Sequence, residues 1–82
     1  MITKDIKAAD VFGRHTNYFA QLVQLACEHN SEIHLSSNNK NINAKSIMGV
    51  MAFKLEEGDP VTITAEGPDE AEAINAIEAF LS

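Results

Sequence analysis

Positive charge is scarce in this sequence: six Lys and Arg stand against twelve Asp and Glu, a formal net charge of -6. Nucleic acid and anionic membranes are recognised through basic footprints, so neither is an expected partner, and proteins are. Cysteine is rarer still. The single Cys27 excludes an internal disulfide and any paired-cysteine metal motif, and it fits a reducing compartment, so a cytoplasmic protein is expected. No apolar run has membrane-spanning length, and Met1 to Lys7 contains no block of signal-peptide length. Gly-rich phosphate loops and nucleophile elbows are also missing, and 82 residues leave little room for a catalytic cleft. Neither an enzyme nor a cofactor binder is expected. None of His15, His29 and His34 has a second ligand at metal-site spacing, so no metal is expected either.

What remains is a folded unit with 45% hydrophobic residues, expected to be a single domain over residues 1–82. Ile2 and Ile6 lie on one side of a weakly alternating first strand. Ala8 to Arg14 reads as a loop, and Phe19, Leu22, Val23 and Ala26 recur at helical spacing, predicting a helix over 16–29. Ile33 and Leu35 alternate with polar neighbours. Ser37 to Lys40 forms a turn-rich tip, and Ile42 between two asparagines makes the returning strand of a hairpin. A short helix follows over 47–53, and then the loop Glu56 to Pro60. Val61, Ile63 and Ala65 alternate as a fourth strand ended by Gly67 and Pro68, and a last helix spans 69–81. The order βαββαβα predicts an α+β fold, an open-faced two-layer sandwich with a four-stranded antiparallel sheet and three helices on one face.

Two stretches carry chemistry. In Lys45, Ser46, Ile47, Met48, Gly49, Val50, Met51, the serine is a good helix N-cap, while Ile47, Met48 and Met51 are apolar contact residues. The segment reads either as a surface helix with a methionine face that a partner binds, or as a capped core helix using Met as gap-filler. Gly13, Arg14 and His15 precede the first long helix. An imidazole at the positive helix end is kept neutral and nucleophilic, and a phosphoryl group on it is stabilised there. A solvated loop histidine is the plainer alternative.

The chain resembles the HPr family, the small histidine-containing phosphocarrier proteins of the sugar phosphotransferase system, together with its regulatory Crh-like branch. The likeness runs end to end without gaps. It rests on the strand order, Gly13 and His15, the turn before Lys40, the run Asn43 to Met51, Gly58, and Gly67 before the acidic helix start. It implies that His15 accepts a phosphoryl group on Nδ1 from enzyme I and passes it to sugar-specific permease components. It also implies that Ser46 is phosphorylated by an HPr kinase/phosphorylase. Ile47, Met48 and Met51, flanked by Lys45, would be the docking patch for these partners and for a catabolite-control transcription factor.

At the histidine the sequence departs from the family pattern. Where the family has Ala-Arg-Pro-Ala, this chain has Thr16, Asn17, Tyr18 and Phe19. The arginine would pair with the phosphoryl oxygens, and a neutral amide does not replace its charge-assisted bonds. The proline would have pre-set the first helical turn. Arg14 supplies a charge from the other side of the ring, and Lys54 stands where a glycine is common. A weakened relay is expected, and the alternative is a Crh-like regulator that acts through Ser46 without using His15 in transport. Cys27 is expected to be partly buried, His29 and His34 solvated, and Phe19, Phe53 and Phe80 part of the core. Tyr18 is either an exposed helix start or a partner contact, and the acidic run from Asp69 to Glu72 is assigned only to the helix dipole.

Overall fold

The computed structural model describes residues 1–8, 18–37, 39–53 and 58–81. Its elements are β1 (Ile2–Lys7), α1 (Tyr18–Cys27), β2 (Glu32–Ser37), β3 (Lys40–Asn43), α2 (Ile47–Ala52), β4 (Pro60–Glu66) and α3 (Glu70–Leu81). All neighbouring strands are antiparallel, in the order β1-β4-β2-β3. This is the expected open-faced α+β sandwich.

Register follows from the period-two alternation. Ile42, Leu35, Ile63 and Lys4 form one row across all four strands, and Ile33, Ala65 and Ile2 form the next. These rows, and the Ile6–Val61 pair beyond them, face the helices: Ile33, Leu35, Val61, Ile63 and Ala65 are buried, and Lys4 ends its row by donating from Nζ to Glu78 Oε1 of α3 at 2.7 Å. The opposite face is polar. Asn43, His34, Thr64 and Thr3 make one row there, Asn41, Ser36, Thr62 and Asp5 the next, and Thr62 Oγ1 donates to Asp5 Oδ1 at 2.7 Å.

Helix α3 packs on β4 and β1 through Ala73, Ile74, Ile77 and Leu81, and α1 packs beside it and against α2. The buried stripe of α1 is Tyr18, Leu22 and Ala26, with Phe19 and Val23 only partly buried. The stripe is thus rotated toward Tyr18 relative to the spacing read from Phe19. Its hydroxyl donates to the Phe53 carbonyl at 3.3 Å, which is what lets a tyrosine enter the core. Phe53 is buried, whereas Phe80, like Phe19, only borders the core. Cys27 is exposed, against the expectation of partial burial, because it falls off the Leu22–Ala26 stripe at the helix end. There the helix stops two residues short of the expected end: Glu28 N bonds both the Gln24 and Leu25 carbonyls, tightening the last turn.

Gly67 is needed for close approach. A Cβ there would lie 2.6 Å from Ser31 Cα and 2.8 Å from the Asn30 carbonyl oxygen. That approach brings the start of α3 against the α1–β2 turn. Asp69 caps α3 with its carbonyl, which accepts from Ala73 N, and sends its carboxylate across to the turn.

Candidate functional site

Helix α2 begins where three successive backbone N–H groups are fixed. Ala44 N donates to the Ile33 carbonyl at 2.9 Å, Lys45 N to Asn43 Oδ1 at 2.9 Å, and Ser46 N to the Asn43 carbonyl at 3.0 Å. Ser46 is then an N-cap with extended backbone, its Oγ accepting from Gly49 N at 3.3 Å. Phe53 closes the other end, donating its N–H to the Val50 carbonyl at 3.1 Å. The helix is Ile47–Ala52, so the expected last residue is its C-cap.

Between the caps the side chains divide sharply. Val50 is fully buried, whereas Ile47 is 42% exposed, Met48 79% and Met51 54%. The helix carries no charged residue. Burying Val50 anchors α2 with about 1.5–3 kcal/mol, leaving an apolar surface beside an exposed serine hydroxyl. Of the two readings the sequence left open, the structure takes the surface helix with an exposed methionine face. Flexible thioethers suit a face that meets several partners.

Lys45 is less available than a surface lysine. It is half-buried, and its Nζ donates to the His29 carbonyl at 2.8 Å. Tyr18 is 3% exposed, so both expectations for it fail, since an exposed helix start and a partner contact alike need an accessible ring. The start of α1, three positions after His15 in sequence, is instead tied to the C-cap of α2. Arg14, His15, Thr16, Asn17 and Lys54 lie outside the described residues.

Sequence reasoning missed the cluster at Asp69. Its carboxylate accepts from Asn30 N at 3.0 Å and from Ser31 Oγ, and it lies 3.3 Å from His29 Nδ1. His29 is therefore not solvated; only 15% of its side chain is exposed. The Ser31 hydroxyl, then the Asn30 N–H, hold the Asp69 carboxyl below the usual carboxylate range, with His29 adding to them. Glu70 is lowered likewise, by the N-terminal ammonium 2.9 Å away and then by Gly67 N–H. The acidic run thus does more than meet the helix dipole. The legible signal was the glycine two residues before Asp69.

Among the described residues no group of three or more His, Cys, Asp or Glu could hold a metal ion, and no helix is long and apolar enough to cross a membrane. The family model described as the PTS HPr component phosphorylation site matches residues 2–82. The chain is 38% identical to the phosphocarrier protein HPr of Cupriavidus necator, over all of this chain and 92% of that one. The chain belongs to the HPr family.

Solved HPr-family structures agree with the architecture. HPr from Bacillus anthracis str. Ames is 33% identical with a TM-score of 0.90, covering 99% of this chain and 96% of that one. The solution structure of Crh, the catabolite repression HPr of Bacillus subtilis, is 32% identical with a TM-score of 0.71, over the same shares. HPr is a phosphocarrier protein and not a catalytic enzyme.

Proposed function

We propose that this HPr-family chain is a cytoplasmic phosphocarrier of the phosphoenolpyruvate-dependent sugar phosphotransferase system. His15 takes a phosphoryl group from enzyme I and hands it to sugar-specific permease components, and phosphorylation of Ser46 by an HPr kinase/phosphorylase regulates the traffic. The match of nearly the whole chain to the phosphorylation-site family carries this reading.

Helix α2 supports the regulatory half. Ser46 is exposed at its head, and Ile47, Met48 and Met51 form an uncharged apolar face beside it. A phosphate there adds roughly -1.5 to -2 charge to a face that otherwise has none. Partners with acidic groups near their docking groove are repelled, and those with an arginine or lysine beside it are selected. One apolar patch then serves two sets of partners, and the serine decides between them. Lys45 takes part through its hold on the α1–β2 turn more than as a free cation.

Transfer through His15 is slow in this account, because Asn17 stands where the family has the arginine that neutralises the phosphoryl oxygens. That same departure favours a second reading. The chain is then a Crh-like regulator that presents phosphorylated Ser46 with Ile47, Met48 and Met51 to a catabolite-control transcription factor, with His15 unused in transport.

Paired labelling tests the two. The protein is incubated with enzyme I and phosphoenolpyruvate, and separately with HPr kinase and ATP, and the modified residue is mapped. Acid-labile label on His15 with acid-stable label on Ser46 supports the regulated carrier. Label on Ser46 alone supports the regulator, and label on neither overturns both.

A further inference from the structure

We infer that Lys45 and Asp69 are positioning residues for Ser46, both gripping the α1–β2 turn so that the head of α2 is registered against the start of α3. The inference rests on the reading of Ser46 as a phosphorylation site. Helix α2 has only six residues, too few to hold a helical geometry alone, so the orientation of Ser46 comes from what its flanks are tied to.

On the chain side, Asn43 fixes Lys45 N and Ser46 N. On the far side, Lys45 Nζ reaches the His29 carbonyl at 2.8 Å. His29 belongs to neither α1 nor β2, and beyond the bond from its N–H to the Ala26 carbonyl of α1 at 3.2 Å its carbonyl is held by the turn that bears it. Asp69 fixes the turn at three successive residues: beside the His29 ring, on Asn30 N and on Ser31 Oγ. Its own carbonyl is already engaged by Ala73 N in the first turn of α3.

The links therefore run unbroken from α3 through Asp69, the turn and Lys45 to Ser46. Ser31 is buried, so its bond to Asp69 and the Lys45–His29 bond are partly shielded from water, while the Asn30 bond is exposed and adds less. The consequence is remote. A change at Asp69, which has no hydrogen bond to α2, alters how Ser46 is presented.

The test uses the full chain and the amide exchange of Gly49, whose N–H donates to Ser46 Oγ. Exchange is compared with that of Ile63 in the core of β4, which reports global unfolding. In Lys45→Met and in Asp69→Ala, Gly49 exchange relative to Ile63 rises about fivefold, the equivalent of one hydrogen bond. The double variant is no faster than the faster single one, since either change breaks the same chain of links. Lys45→Arg restores protection, and Glu72→Ala on the exposed side of α3 changes nothing.

With HPr kinase and ATP, Asp69→Ala raises KM for the protein at unchanged kcat. The inference is overturned if Asp69→Ala frees the Asn30 amide while Gly49 and the kinase KM stay as in the parent. Should Asp69→Ala not fold, Asp69→Asn keeps the shape and is read the same way. Absence of Ser46 phosphorylation in the parent chain overturns the proposed regulation instead, and the exchange comparison still decides the positioning.

Discussion

The hydroxyl of Tyr18 donates to the main-chain carbonyl of Phe53, joining the first residue of α1 to the C-cap of α2 across a buried contact. Two helices are thereby locked together, one starting three positions after His15 in sequence and the other capped by Ser46. Tyr18→Phe keeps the ring and leaves that carbonyl without its donor. A loss of about 1–2 kcal/mol of stability is expected from urea denaturation at unchanged fold. A variant as stable as the parent shows that the bond contributes nothing.

Two glycines separate by what a methyl group would meet. At Gly49, inside α2, an added Cβ finds ordinary contacts at 3.5 Å with Ile42 and Ser46, so Gly49→Ala gains helix propensity and raises stability by about 0.5–1 kcal/mol. At Gly67 the same methyl strikes the Ser31 backbone, so Gly67→Ala is expected to lose about 2 kcal/mol or more. Thermal melts of the pair check both signs.

Much of this was legible because it is local. The alternation Val61, Ile63, Ala65 is period two on a strand buried on one face, and it reappears as buried positions in β4. Ser46 as a cap needs only the next three residues to be recognised. Tyr18 was misread because its partner is 35 residues away, on an element whose position no local pattern predicts. The Asp69 cluster was missed for the same reason. Its contacts with Asn30 and Ser31 span 39 and 38 residues, and the first turn of an acidic helix looks alike whether its carboxylates face water or another loop.

Acid should loosen the α3 start in a predictable direction. Asp69 and Glu70 both titrate below their ordinary values in the folded chain, so over the carboxylate range the unfolded chain binds more protons. Their stabilisation is complete above the unfolded values, around pH 4 to 5, and is lost as pH falls through the folded ones. Urea midpoints measured from neutral to acid pH should fall in that window, with a shallower fall in Asp69→Ala. An equal slope in that variant removes Asp69 from the account.

The docking face should be separable from the fold. Met48 is 79% exposed, so Met48→Asp is expected to change stability by less than about 0.5 kcal/mol. A carboxylate placed in a partner's apolar groove is expected to weaken binding about tenfold or more, by calorimetry with enzyme I. Unchanged affinity puts the contact elsewhere.

Whether this chain carries phosphate on His15 is decided by incubation with enzyme I and phosphoenolpyruvate. The parent, His15→Ala and Asn17→Arg chains are followed by the rate of acid-labile phosphate uptake. Uptake is expected to be slow in the parent, absent in His15→Ala and faster in Asn17→Arg. An absence of acid-labile label in the parent, or a label that persists in His15→Ala, contradicts a carrier role for His15.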